Sequence, residues 1–209
     1  MEADLHLHTN RYSGCSNMDP VATLRRAEQV GLDIIALTEH GIRWPDRELE
    51  MLMEESDVQG LMVIPGQEAA CYSSSGHFEG EFLVYGYPES LGSSKSAETL
   101  IKMVHDQGGV VVAAHPFKIS RQTGRFYGSG YLTKALDLDG LEVSHPSYDE
   151  ESRRLAFETM VQMNIAGLGA SDAHDLHQIG IIRTGFDGDV RDVPSLCEEI
   201  RAGRVSLIP

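Results

Sequence analysis

Short apolar runs alternate along the chain with longer stretches whose apolar residues recur every three or four positions. The first pattern suits buried strands and the second amphipathic helices. The apolar runs are Asp4–His8, Asp33–Leu37, Leu61–Pro65, Phe82–Tyr85, Val110–Ala114, Leu141–Ser144 and Ile165–Ala170, with Ile181–Arg183 and Val205–Ile208 as shorter candidates. Among the helices, Asp19-Pro20 reads as an N-cap with proline at the first helical position, and Gly31 closes that element. Further helices are expected over Arg47–Glu54, over Ala97–Asp106, from a Ser147/Glu150 capping box to about Met163, and over Pro194–Arg201. Strands that are each followed by a helix or loop predict an α/β fold, a small barrel of about seven parallel strands. Lys118–Tyr131 is the longest irregular stretch. No repeat, low-complexity tract or composition break interrupts the pattern, so one domain over residues 1–209 is expected.

Composition narrows the function classes. Hydrophobic residues make up 41% and charged residues 23%, ordinary values for a globular chain. No apolar run is long enough to span a membrane, and the acidic start Met1-Glu2-Ala3-Asp4 lacks a signal-peptide pattern. Cys15, Cys71 and Cys197 form no CxxC pair, which fits reduced thiols and a cytoplasmic location. The net charge of −15 argues against extended duplex binding, because a protein that grips many phosphates is usually basic. It leaves room for a small phosphorylated substrate or a strand end.

The side chains at the strand ends change the picture most. His6 and His8 alternate on the first strand and so share a face. Glu39-His40, Glu68, His115, His145 and the pair Asp172/His174 follow five later apolar runs. In a β/α barrel those ends form one rim, where barrel enzymes keep their sites. A lone histidine there is usually a satisfied polar group. Six such coincidences point to a cation, because burying unpaired charge costs several kcal/mol per group. Imidazole and carboxylate donors without thiolate suit zinc, manganese or iron.

The runs Asp4-Leu5-His6-Leu7-His8-Thr9, Leu37-Thr38-Glu39-His40, Pro65-Gly66-Gln67-Glu68, Ala114-His115-Pro116 and Ser171-Asp172-Ala173-His174 resemble the motifs of the PHP (polymerase and histidinol phosphatase) family. The resemblance extends from Asp4 to about Arg204. It implies a distorted seven-stranded (β/α)7 TIM-like barrel, two to three divalent transition metal ions, and hydrolysis of phosphate esters. Carried over by position, His6, His8, Glu68 and Asp172 would hold one ion, with Glu68 bridging to a second. The second would take His115, and the third His40 and His174. Two positions depart from the family. Tyr12-Ser13-Gly14-Cys15 stands where an acidic residue or histidine is common, so Cys15 is a candidate substitute. Glu81 stands where a histidine is common, and His77 competes with it.

Other residues have weaker claims. Glu39 suits a partner that orients a ligand. His145 is a candidate proton donor to the leaving group, with a ligand role as the alternative. His105 and His177 are expected to be structural or solvated. Lys118, Arg121 and Arg125, interleaved with Phe117, Phe126, Tyr127 and Tyr131, form a basic-aromatic patch suited to clamping a substrate, against the plainer reading of a surface loop. Arg183 could reach a phosphate or pair with a surface carboxylate. The expected chemistry is attack by a metal-activated hydroxide on nucleotides or short single-stranded ends. A histidinol phosphate or phosphotyrosine type of phosphomonoesterase and a metal-stabilised scaffold remain open alternatives. No Gly-x-Ser-x-Gly elbow suggests a covalent nucleophile.

Overall fold

The computed structural model describes residues 1–208. Ten strands form two five-stranded sheets. The first sheet contains β1 (Glu2–Leu7), β2 (Ile34–Leu37), β3 (Met62–Pro65), β9 (Arg183–Phe186) and β10 (Val205–Ile208), in the order β10-β9-β1-β2-β3. The second contains β4 (Gln67–Tyr72), β5 (Phe78–Tyr85), β6 (Val110–Ala113), β7 (Gly140–Ser144) and β8 (Ala166–Gly169), in sequential order. The expected seven-stranded parallel barrel is therefore corrected: both sheets are mixed, and no closed barrel forms among the described residues.

Connection length explains the difference. Parallel neighbours need a crossover of a dozen or more residues. Helix α1 (Pro20–Gln29) supplies one between β1 and β2, α2 (Asp46–Ser56) one between β2 and β3, and α4 (Glu150–Met163) one between β7 and β8. Only the turn 73–77 separates β4 from β5, so those two pair antiparallel. Gly66 alone separates β3 from β4, and the chain changes sheet there. A Cβ at Gly66 would lie 3.0 Å from Thr38 and Tyr85, which explains the absence of a side chain. The two sheets approach at isolated parallel bridges, His40 with Glu68 and Leu7 with Ala173, and histidine or carboxylate residues of interest flank both.

Of the two caps expected from the sequence, the one at α1 forms and the one at α4 does not. Asp19 caps α1 by accepting from Ala22 N at 3.0 Å, and Ser96 caps α3 (Ala97–Asp106). Asp192 caps α5 (Val193–Arg201). At α4 the cap is Asp149, which accepts from Ser152 N at 2.8 Å, and not the expected Ser147. The Ser147 hydroxyl instead lies 2.7 Å from His145 Nδ1.

Three apolar clusters divide the strands by side-chain parity. Ile35 and Leu37 join the cluster under α1 and α2, whereas Ile34 and Ala36 join an interior cluster shared by both sheets. Likewise Phe82 and Val84 face α3 and α4, whereas Leu83 and Tyr85 face inward. By the same parity Glu68, Glu81 and Glu142 point inward, above this apolar floor. On β1 the alternation breaks. Leu5 belongs to the interior cluster and Leu7 to the α1/α2 cluster, and the β1/β2 register is irregular between Asp4 and Leu7. That break turns His6 and His8 inward on either side of Leu7. No helix among the described residues is long and apolar enough to cross a membrane.

Candidate metal centre

The imidazoles of His6 and His8 meet with their Nε2 atoms 3.0 Å apart. Each Nε2 lies 3.4 Å from a Glu68 carboxylate oxygen and 3.4 Å from Asp172 Oδ1. An ion with bonds of about 2.0–2.1 Å in tetrahedral geometry holds its donor atoms about 3.3–3.4 Å apart. The observed spacing matches that requirement within a few tenths of an ångström. Without a cation this contact needs a proton on one of the two nitrogens; burial opposes one on His6, yet the carboxylates of Glu142, Glu68 and Asp172 favour it there.

Further donors surround this group. His40 Nδ1 lies 3.0 Å from Glu68 Oε2, and His115 Nε2 lies 3.1 Å from Glu68 Oε1 and 3.6 Å from Glu81 Oε2. His145 Nε2 is 3.2 Å from Asp172 Oδ2. Donor atoms of His8, His40 and His174, of His115, His145 and Asp172, and of His40, Glu68 and Glu81 converge closely enough to share a cation. Glu68 Oε1 and His115 Nδ1 are buried without a hydrogen-bond partner, a costly state that a bound cation relieves for the carboxylate. The donor set thus fits divalent transition metals.

The electrostatics agree. Burial lowers the pKa of His8 and of His145, so both imidazoles are neutral near pH 7 and keep a lone pair to give. Burial opposes the charge on Glu68, yet His6, His115 and His40 hold it well below the usual carboxylate range. Burial, and then the charge on Glu68, push Glu81 up to about 7. A cation between these carboxylates would reverse that push.

Several residues hold the donors in place; Glu39 was expected to, whereas Glu142 and Asp4 were not. Glu142, buried in the middle of β7, lies 2.8 Å from His6 Nδ1 and accepts from His115 N at 2.5 Å. It orients His6 so that Nε2 faces the centre. A charged residue inside the apolar run Leu141–Ser144 was the available signal. Glu39 accepts from Thr9, from Ser13 Oγ at 2.5 Å and from Trp44 Nε1 at 3.0 Å, and Ser13 Oγ lies 3.3 Å from His8 Nδ1. Glu39 therefore supports His8 through Ser13 and does not enter the centre. Asp4 accepts from Ser171 and Gly180 and ties β1 to the segment that carries Asp172. His115 (φ 30°) and Asp172 (φ 49°) both sit in the left-handed region, a strain of about 1–3 kcal/mol each that clusters at functional sites.

The other candidates divide clearly. Glu81 reaches the centre because β5 runs antiparallel to β6, which brings its first half level with His115. His77 stays in the exposed 73–77 turn, bonded to Ser75 Oγ at 2.8 Å. Cys15 Sγ lies 3.3 Å from His40 Nε2, at the exposed margin. Lys118 Nζ is 3.2 Å from Asp172 Oδ2. Arg121 and Arg125 lie exposed at the tip of a small hairpin joined by the Ile119–Phe126 bridge. Arg183 is not brought to the centre. Its guanidinium pairs with Glu2 at 2.6 Å and donates to the carbonyls of Gly180 and Val30. His105 bonds to Asp139, away from the cluster.

Comparison with known proteins places this centre. An uncharacterized protein of Methanocaldococcus jannaschii is 32% identical over 155 residues, a match covering 68% of this chain and 81% of the relative. Residues 150–205 match a family model described as PHP-associated. The chain belongs to the PHP family. Solved structures at 20% identity or below share the fold. A two-domain Bacteroides vulgatus protein containing a predicted PHP-like metal-dependent phosphoesterase superposes with a TM-score of 0.76, covering 100% of this chain and 64% of that one. Endonuclease Q, a lesion-specific endonuclease, matches in its Pyrococcus furiosus form with a TM-score of 0.63, at 18% identity, over 99% of this chain and 57% of that one. It also matches at 0.58, with 17% identity, as a complex with a 27-mer duplex carrying an abasic lesion, over 96% and 55%. The chain thus spans between about half and two thirds of the length of these proteins, and it has the fold of PHP-like metal-dependent phosphoesterases.

Proposed function

We propose that this PHP chain acts as one domain over residues 1–209 and hydrolyses phosphate esters with two to three bound divalent transition metals. The observation that carries the reading is the convergence of His6, His8, Glu68 and Asp172 at 3.0–3.4 Å in a buried pocket. His40, His174, Glu81 and His115 extend the donor set on either side of Glu68. His145 is assigned to the group with His115 and Asp172, because its Nε2 faces Asp172 and its Nδ1 meets Ser147. That placement favours holding a cation over donating a proton.

When bound there, divalent metals polarise a phosphoryl oxygen and ease deprotonation of water near neutral pH. The chain's own residues supply the rest. Glu142, Ser13 and Ser147 fix the imidazoles, so the donors need no rearrangement when substrate arrives. Lys118 sets an ammonium beside Asp172, where it can donate to a non-bridging phosphate oxygen. The apolar floor beneath the carboxylates excludes bulk water from one side.

The substrates we assign are nucleotides and short single-stranded ends. The net charge of −15 opposes a long duplex, and Lys118, with Arg121 and Arg125 further out, offers local grip only. Endonuclease Q was solved with a duplex, but nearly half of that protein lies outside the region matched here. The test is turnover by manganese- or zinc-loaded protein against a panel of aryl phosphate monoesters and diesters, nucleotides and oligonucleotides. Chelator-sensitive hydrolysis is expected. Its absence across the panel, with metal bound, would return the chain to a metal-stabilised scaffold.

A further inference from the structure

A row of three aromatic rings leads outward from the metal centre. The Tyr127 ring lies 6.2 Å from His115, Phe78 lies 5.8 Å from Tyr127, and Tyr72 lies 5.5 Å from Phe78, centroid to centroid. All three are exposed, at 45%, 38% and 37% respectively. Isolated exposed apolar side chains are unremarkable, but a contiguous row ending at a polar centre marks a binding surface.

Two separate segments build the row. Tyr72 and Phe78 face each other across the β4/β5 hairpin next to the 73–77 turn. Tyr127 comes from the hairpin over 118–127, held by its N–H to Lys118 O at 2.7 Å. The segments touch because Gly80 carries no side chain: a Cβ there would lie 2.7 Å from Ser129 N. Gly80 also adopts a φ of 125°, which side chains rarely accept. Phe126 and Tyr131 do not join the row. They pack edge-on against buried Phe117 instead.

A cation marks the inner end. Lys118 Nζ sits 5.7 Å from the Tyr127 ring centroid and 3.2 Å from Asp172. A ligand spanning this surface meets the cation site that would hold phosphate first, then an ammonium, then flat apolar faces at intervals of about one ring. Phosphate followed by planar bases is the order of a nucleotide strand, and bases stack on aromatic faces with little regard to sequence. An unmodified peptide offers no phosphate at the inner end, and a phospholipid offers no rings behind one.

We infer that Tyr127, Phe78 and Tyr72 form a base-stacking subsite for a single-stranded nucleic acid end whose phosphate lies at the His/carboxylate centre. The inference rests on the phosphoesterase reading, which places phosphate at that centre. Tyr127 takes the base nearest the phosphate, and Phe78 with Tyr72 takes the next.

Binding separates the two claims, because it does not depend on turnover. Metal-loaded protein is titrated by fluorescence anisotropy with a dye-labelled oligothymidylate pentamer, and with a base-less deoxyribose-phosphate pentamer carrying the same dye. The wild type is expected to prefer the base-bearing strand by about 10-fold or more. Tyr127→Ala should remove most of that preference and Phe78→Ala part of it, whereas Tyr131→Ala keeps it. Should Tyr127→Ala melt early, Tyr127→Leu serves with its melting temperature as control. Equal binding of both strands by the wild type overturns the subsite. So does an equal loss on both strands in the Tyr127 and Phe78 variants, which would mean the row only supports the fold. A base preference without hydrolysis of any ester would uphold the subsite and remove the enzymatic reading.

Discussion

The floor of the centre and its outer margin are built differently from the same residue types. His6 and His8 are fully buried and Glu68 nearly so, and each imidazole is held at its second nitrogen by Glu142 or Ser13. At the margin, the side chains of His40, His174 and Lys118 are 42%, 29% and 29% exposed. His40 meets Glu68 and Cys15, and the His174 ring is held through the Asp172 carbonyl at 2.9 Å. Donors fixed on both sides by buried partners cannot relax when a cation leaves, so an empty floor is strained. Exposed donors reorient and exchange their cation for a proton or water. On the proposed reading, an ion at the floor would be held tightly and one at the margin would exchange more readily.

The largest effect that could break this comparison is loss of a floor ligand. His8→Ala or Asp172→Ala is expected to lower phosphoesterase turnover by about 100-fold or more, because small displacements at a reacting centre are that costly. Elemental analysis should show about one equivalent of metal lost while circular dichroism stays native. Full activity in metal-scrubbed reagents would remove these residues from the centre. Chelation comes next. Stripping all metal should lower the melting temperature, and re-adding one equivalent should restore most of the loss, since a cation bound only to the folded state stabilises it by mass action. A restoration that needs every site filled would contradict the tight floor.

A smaller effect is expected at Glu142, which touches no substrate. Glu142→Gln keeps the shape but removes the charge behind His6 and should weaken metal affinity by about 10- to 100-fold. Unchanged affinity in competition with a chelator would make Glu142 a fold residue only. At the margin the sign with pH is fixed by His40, whose hydrogen bond to Glu68 raises it to about 9. Near pH 7 the metal-free protein therefore holds a proton there that a cation must displace. Outer-ion affinity should rise from pH 7 towards 9 with proton release on loading, and His40→Asn should remove the His40 part of that release, leaving the part from Glu81. The smallest effect belongs to Arg121→Ala with Arg125→Ala. At the exposed hairpin tip these should raise KM for a nucleotide at low salt and lose the difference at high salt, where exposed charges are screened.

Chain position decided which of these parts could be read early. The ligands that end the parallel strands β1, β2, β6, β7 and β8 were legible because they interrupt apolar runs at a repeated place. Glu142 was not, since a carboxylate inside a strand looks the same whether its partner is solvent or an imidazole from β1. The β4 strand was missed because Gln67–Tyr72 carries alanine, cysteine and glutamate with little β-branched signal. With it went the antiparallel hairpin that delivers Glu81, Tyr72 and Phe78. Ser147 looked like a cap because the local spacing fits one, and it lost that role to Asp149 when His145 claimed its hydroxyl. Arg183 lay close enough in sequence to reach the centre, and the β1/β9 pairing took it to Glu2 instead.

The sequence by itself determined the family, the α/β alternation, most helices and the Asp19 cap, and a donor set rich in histidine and carboxylate. These depend on periodicity and on contacts within a few residues. Tertiary structure alone decided that the strands form two mixed sheets, that Glu142 and Ser13 lock the imidazoles, and that aromatic rings from two hairpins line up beyond Lys118. Most of these rest on pairs far apart in sequence, as Glu142 is from His6. No local pattern encodes which distant partner a buried charge or an exposed ring will meet, because that choice is made by register and by the seam where the sheets touch.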